Sequence, residues 1–162
     1  TPGQGSTFTL TACLAKTAAR PAPEEATSPA APVRTARKRL LLAEDDEINR
    51  EVALELLGDY PELSIDVAEN GALAVERASA GRYDLVLMDI EMPVLDGIAA
   101  TRAIRQLPGH AATPIVAMTA NAFAEDKARC LDAGMSDFIA KPVDPDLLFA
   151  MLDRWLNGQE SA

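Results

Sequence analysis

This chain is poor in cysteine and histidine. Its 162 residues include two cysteines, Cys13 and Cys130, and one histidine, His110. Cysteines so far apart suggest neither a disulfide framework nor a metal site, and a reducing cytoplasm suits them. The histidine follows Pro108-Gly109, a loop signal, which argues against catalytic histidine chemistry. No apolar run reaches the roughly 18 residues needed to span a bilayer, so no membrane contact is expected. The start Thr1-Pro2-Gly3-Gln4-Gly5 lacks the basic region of a signal peptide. With no initiator methionine, the chain reads as a piece of something longer. Positive charge is scarce as well. The net charge is −10, which argues against nonspecific nucleic-acid binding. Of 15 basic and 25 acidic residues, the first 38 positions hold five and two, so the remainder carries 10 against 23. Part of that acid is expected to gather at a cation site, and most of it to be solvated surface.

What is present begins with a run that ends in an acid. Leu85-Val86-Leu87-Met88 leads without a polar break into Asp89. Such a run reads as a strand buried on both faces of a parallel sheet. Pro93 and Asp96-Gly97 then force a loop. Asp89 therefore stands where a central strand ends, the edge at which open α/β sheets bind ligands.

The rest of the chain repeats that unit. Residues 1–14 carry a Gly-x-Gly turn and one alternating strand, Phe8, Leu10, Ala12 and Leu14, read as the tail of a preceding domain. Residues 15–38 are half Ala and Pro and read as a semi-stiff linker, with Arg34, Arg37, Lys38 and Arg39 as a solvated basic hinge. Arg39–Ala43 is a buried strand ending in Glu44-Asp45-Asp46. Asp46 caps a helix with Ile48, Val52, Leu56 and Leu57 on one face. Leu63–Val67 alternates as a peripheral strand, and Asn70-Gly71 opens a helix with Leu73, Val75 and Ala78. After the strand to Asp89 comes a helix with Ile98, Thr101, Ile104 and Leu107. Pro114–Met118 is a fourth strand ending at Thr119-Ala120-Asn121. A helix with Phe123, Ala124, Ala128 and Leu131 follows. Asp137–Ala140 is a fifth strand, ending at Lys141-Pro142. The last helix has Asp144 as cap, Pro145 at its first position, and Leu148, Met151, Leu152 and Trp155 inward.

Five β-α units in about 120 residues make a parallel sheet covered on both faces. The flavodoxin-like order 2-1-3-4-5 is the natural topology for residues 39–158, leaving 159–162 as a tail. That order puts the ends of strands 1, 3, 4 and 5 side by side. Glu44-Asp45, Asp89, Thr119 and Lys141 then share one pocket. Three crowded carboxylates repel, and a hard divalent cation with oxygen ligands relieves them. Asp45 and Asp89 would bind it directly and Glu44 through water. Asp89 would also be a nucleophile forming an acyl phosphate. The cation would neutralise one phosphoryl oxygen, Lys141 a second, and Thr119 would donate to a third. Each residue also has a plain structural use: Asp89 can cap its loop, Thr119 a helix, and Lys141 can pair with the acids.

These residues, with Met92-Pro93, Asp96-Gly97, Thr119-Ala120 and Lys141-Pro142, resemble the receiver domain of two-component response regulators over all of residues 39–158. The resemblance implies Mg²⁺ as cofactor, Asp89 as phosphoacceptor and the backbone carbonyl of Glu91 as a further metal ligand. It implies the Ala120 amide on the phosphoryl group, a cis bond between Lys141 and Pro142, and a switch pairing Thr119 with Phe138. Phe138 also reads as a plain core residue. Glu44 stands where many receivers have Asp, similar to the variant common in hybrid kinases. Residues 3–10 are similar to the last glycine box of a histidine-kinase ATP-binding domain. The implied parent is a cytoplasmic or membrane-anchored hybrid kinase. The implied partners are a histidine-kinase phosphodonor domain and a histidine phosphotransfer domain. The isolated chain would only phosphorylate and dephosphorylate itself. An alternative of another class is an aspartate-nucleophile phosphatase of the haloacid-dehalogenase type. That family wants a second Asp two residues after the nucleophile, where Glu91 stands, and a late rather than an early acidic pair. A third reading is a degenerate receiver used only for docking, although no site residue is missing.

Overall fold

The computed structural model describes residues 37–60, 62–120 and 124–158. The expected kinase-derived strand at 1–14, nearly all of the linker, the 159–162 tail and Phe123 lie outside them. Five parallel strands alternate with five helices: β1 (Lys38–Ala43), α1 (Glu47–Gly58), β2 (Leu63–Ala68), α2 (Gly71–Ala80), β3 (Leu85–Asp89), α3 (Gly97–Gln106), β4 (Ile115–Thr119), α4 (Ala124–Asp132), β5 (Asp137–Ala140) and α5 (Pro145–Leu152). A π-helical turn, Asp153–Asn157, extends α5. The sheet order is β2-β1-β3-β4-β5, the flavodoxin-like order that the alternation predicts. Among the described residues no helix is long and apolar enough to cross a membrane.

The central strands carry unbroken apolar runs, Leu40–Ala43, Leu85–Met88 and Ile115–Met118, because both faces are covered. Leu41, Val86, Met88, Ile115 and Ala117 meet α2, α3 and α4 through Ala74, Ala78, Ile104 and Cys130. Leu40, Leu42, Leu85, Leu87, Val116 and Met118 meet α1 and α5 through Ala53, Leu57, Leu148 and Leu152. Period-two alternation of the side chains divides each strand between these two cores. The short side chains Asp46, Asn70, Asp96 and Asp144 cap α1, α2, α3 and α5, each accepting from a backbone N–H three residues on.

Several expected faces are corrected. Ile48 and Val52 are 72 % and 47 % exposed and Leu56 is half-buried, while the expected Leu57 is buried and Ala53 joins it. The two stripes are one residue apart, a rotation of about 100° around the helix. In α4, Ala128 and Leu131 face out while Cys130 is buried, with Ala133 after the helix. Met151 and Trp155 are only half-buried, and Leu156 in the π-helical turn takes the inward place. Lys38 and Arg39 belong to β1 rather than to a solvated hinge. The Arg39 guanidinium is 2.6 Å from Asp66 on edge strand β2 and lies over the Tyr83 ring. The Tyr83 hydroxyl donates to the same carboxylate. Burial, and then that bond, push the Tyr83 phenol up to about 12. His110 lies in the loop between α3 and β4, as its Pro-Gly neighbours indicate. It is buried, with Nε2 2.9 Å from the Ala78 carbonyl and Nδ1 3.2 Å from the Thr113 hydroxyl.

The loop after β3 is tight. Leu95 N–H donates to the Pro93 carbonyl at 2.8 Å across Val94, whose φ is +70°. This is a γ-turn, a strained conformation for a β-branched residue. Gly97 closes the loop so near β3 that a Cβ there would lie 2.0 Å from the Asp89 carbonyl oxygen. Gly58, at the end of α1, faces open space. Gly97→Ala should therefore cost on the order of 1–3 kcal/mol by forcing β3 and α3 apart. Gly58→Ala should gain about 0.5–1 kcal/mol by restricting the unfolded chain. Urea unfolding of the two variants checks the opposite signs.

Candidate functional site

Register places the polar strand ends together. Ala43 pairs with Met88, so Glu44 lies beside Asp89. Asp89 pairs with Met118, which puts it next to Thr119, and Thr119 pairs with Ala140, the residue before Lys141. The backbone continues the zipper, with Lys141 N–H donating to the Thr119 carbonyl at 2.8 Å and Ile90 N–H to Met118 at 3.2 Å. The Lys141–Pro142 bond is cis.

The centre of the site is an ammonium between two carboxylates. Lys141 Nζ is 2.7 Å from Asp89 Oδ2 and 2.7 Å from Glu44 Oε2. Glu44 is 1 % exposed and Asp89 4 %. Asp45, by contrast, is exposed. Glu44, Asp45 and Asp89 each offer an oxygen within 4.8 Å of the others, a geometry that suits a metal ion. Three carboxylates against one ammonium leave two negative charges, which a divalent cation balances. The ligands are hard oxygens, and a cleft of about 230 Å³ opens beside them, lined by Glu44, Asp45, Asp46, Asn49, Asp89, Glu91, Ala120 and Lys141. Oxygen donors of this kind select Mg²⁺ or a similar hard ion over a soft one.

Burial pushes the Glu44 carboxyl above the ordinary range. The Lys141 hydrogen bond pulls it back and the Asp89 charge adds to the rise, so the net shift is upward. Burial would lower Lys141, but its bonds to Asp89 and then Glu44 outweigh that, and its pKa is raised. The Asp89 Oδ1 accepts from the Glu91 N–H at 3.2 Å, which fixes the carboxylate plane as the chain turns away from β3.

The cleft gathers the expected residues with one qualification. Thr119 is buried at the end of β4 and lines an adjoining cavity of about 260 Å³ with Glu91, Met92, Asp96 and Arg129. Glu91 borders both cavities. Phe138 is half-buried on β5, with Lys127 Nζ 4.0 Å above its ring. Sequence reasoning missed Asn49 and Arg50. Asn49 Nδ2 donates to Glu44 Oε1 at 3.3 Å, and Arg50 Nη1 reaches the carbonyls of Glu44 and Asp45 at 3.3 and 3.4 Å. Their spacing after a strand-terminal acid pair was the available signal: a helix capped at Asp46 returns positions 49 and 50 to the start of its own first turn.

The charge balance has a consequence for stability. Without Lys141, Glu44 must hold a buried charge beside Asp89 or take up a proton. A carboxyl whose folded pKa is raised contributes stability below its unfolded value and loses it as pH rises. Lys141→Met should therefore be destabilised at pH 7, with the deficit from wild type shrinking toward pH 5. Urea unfolding of both proteins across that range checks the sign.

A family model described as the response regulator receiver domain matches residues 40–153. Hybrid signal transduction histidine kinase B of Dictyostelium discoideum is 42 % identical over 132 residues, which cover 74 % of this chain and 7 % of that protein. The chain thus spans a small part of the length of the kinase it matches. The receiver domain of sensor histidine kinase PA1611 from Pseudomonas aeruginosa, solved with a magnesium ion coordinated in its active site cleft, is 40 % identical. The match has a TM-score of 0.70 and covers 75 % of this chain and 99 % of that one. The receiver domain of Ssk1 from Saccharomyces cerevisiae, co-crystallised with the histidine phosphotransfer protein Ypd1, matches with a TM-score of 0.69 and 30 % identity. It covers 76 % of this chain and 92 % of that one.

Proposed function

The chain belongs to the response-regulator receiver family, and on that premise we propose that Asp89 accepts a phosphoryl group from a phosphohistidine of a histidine kinase. A receiver is a phosphoacceptor module with an acidic metal site, and its family partners with phosphotransfer proteins. The observation that carries the assignment is the Asp89 carboxylate, nearly buried, held by Lys141 at 2.7 Å within the acid cluster. Of the three acids, it is the one that ends the central strand β3.

Asp45, Asp89 and the Glu91 carbonyl would hold Mg²⁺, with Glu44 reached through water. The ion supplies charge neutralisation on the phosphoryl oxygens when bound. One Asp89 oxygen attacks phosphorus as the P–N bond to the donor imidazole breaks, and the imidazole leaves with the electron pair. Lys141 follows the growing charge from the carboxylate to a phosphoryl oxygen. The Thr119 hydroxyl and the Ala120 amide donate to the remaining oxygens. This is catalysis by position and charge, with no proton transfer demanded of a histidine. The acyl phosphate is then passed on or hydrolysed slowly.

The partner approaches over α1. Ile48 and Val52 present an apolar stripe next to Asp46 and Asn49 on the cleft rim. A helical histidine-bearing domain, either a kinase phosphodonor domain or a phosphotransfer protein like the one seated on the Ssk1 receiver, fits such a stripe. Thr119 and Phe138, on neighbouring strands, form the switch that reshapes the face of α4, β5 and α5. The phosphatase alternative has no comparable support, since Glu91 replaces its acid/base residue and the family assignment runs through residues 40–153. We place the module on the cytoplasmic side of a hybrid kinase, with residues 1–14 as the end of the kinase domain and 15–38 as the linker.

Incubation with Mg²⁺ and acetyl phosphate should add one base-labile phosphoryl group, seen by intact mass. Asp89→Asn should abolish it, and Asp45→Ala should reduce it together with Mg²⁺ affinity. Undiminished labelling of Asp89→Asn would refute the assignment.

A further inference from the structure

We propose that Asn49 is a positioning residue: it holds the Glu44 carboxylate as a fixed counter-ion of Lys141, and so leaves direct cation binding to Asp45 and Asp89. The inference rests on the proposed phosphoacceptor reading and adds a residue to it.

The local chain explains how Asn49 reaches the site. Asp46 caps α1 by accepting the Asn49 N–H at 2.9 Å. That bond fixes the backbone at the third helical position, where capping boxes place a Glu or Gln that turns back toward the cap. Here the side chain is a donor, and it passes the cap to reach Glu44 Oε1 at 3.3 Å. The next residue completes the hold. Arg50 contacts the Glu44 and Asp45 carbonyls, so consecutive residues restrain the side chain and the backbone of the acid pair.

The result divides the acids by role. Both Glu44 oxygens are engaged, Oε2 with Lys141 at 2.7 Å and Oε1 with Lys141 at 2.9 Å and Asn49. Among the described residues the Asp45 carboxylate makes no such contact, and it is exposed at the cleft mouth. A carboxylate with both oxygens already engaged by nitrogen donors is a poorer direct ligand than a free one for a cation that demands near-ideal octahedral geometry. It is a good anchor for an ammonium that must change partners. As phosphate forms on Asp89, Lys141 exchanges the Asp89 oxygen for a phosphoryl oxygen while keeping Glu44. Asn49 keeps that pivot from turning toward the ion.

Asn49→Ala removes the donor but keeps the backbone cap, and the residue is exposed, so the melting temperature should hold within about 2 °C. Three measurements on the full chain then decide. The Lys141 ammonium resonance, followed by ¹H–¹⁵N NMR without any phosphodonor, should broaden in Asn49→Ala. The Mg²⁺ dissociation constant from amide shift titration should change less than about twofold. The rate of labelling by acetyl phosphate at saturating Mg²⁺ should fall about three- to tenfold, the scale of one ordinary, partly exposed hydrogen bond. Asn49→Asp should lower that rate further, by placing a like charge beside Glu44. An unchanged Lys141 resonance with an unchanged labelling rate would overturn the proposal and leave Asn49 a surface cap. A large shift in Mg²⁺ affinity with an unchanged maximal rate would also overturn it, because Glu44 would then be serving the ion. If wild type takes no label at all, the phosphoacceptor reading falls, and the Lys141 resonance alone decides whether the anchor exists.

Discussion

One ammonium holds the functional edge of this domain together. Lys141 joins β5 to the ends of β1 and β3 by bridging Glu44 and Asp89, two carboxylates that would otherwise repel in a nearly dry environment. A buried pair of this kind adds little to stability compared with an apolar packing. Its value is that the charge can be reassigned. In the proposed reaction the same ammonium that steadies the resting carboxylates moves to a phosphoryl oxygen, and the exposed Asp45 completes the proposed cation site.

Sheet order makes that convergence possible. β1, β3, β4 and β5 are neighbours in space although they are separated in sequence by helices on both faces. Each of these strands runs into polar residues at its carboxyl end, and parallel pairing brings those ends to one edge. The tight turn after β3 protects the arrangement. Gly97 lets α3 begin against the Asp89 carbonyl, so the nucleophile's own backbone is packed from behind. Stability and reactivity are thus assigned to opposite ends of the same strands: His110, Thr113 and Arg105 tie backbone carbonyls at the amino edge, while the acids gather at the carboxyl edge.

The fold was legible in the sequence because uninterrupted runs such as Leu85–Met88 need cover on both sides, and strict alternation leaves few topologies. The site was legible because Glu44, Asp45, Asp89, Thr119 and Lys141 each stand at the end of a strand or within two residues of it. Helix faces were harder. Ile48 and Val52 looked like core residues, but Ala53 and Leu57 are inward, and hydropathy alone cannot tell a buried stripe from an apolar docking face one residue away. The burial of His110 was not legible because a single residue carries no periodicity, and its partners are carbonyls about 30 positions distant. Asn49 went unnoticed for a similar reason: its donor matters only once the cap at Asp46 fixes where the first turn begins.

The central claim is that Asp89, and neither Glu44 nor Asp45, carries the phosphoryl group. Borohydride reduces an acyl phosphate to the alcohol, which converts a phosphorylated aspartate to homoserine and marks the residue permanently. The chain should be labelled with acetyl phosphate and Mg²⁺, reduced, digested and sequenced by tandem mass spectrometry. Homoserine at position 89 alone is the predicted result. Homoserine at position 45, the alcohol derived from Glu44, or an unmodified peptide at position 89 would contradict the account.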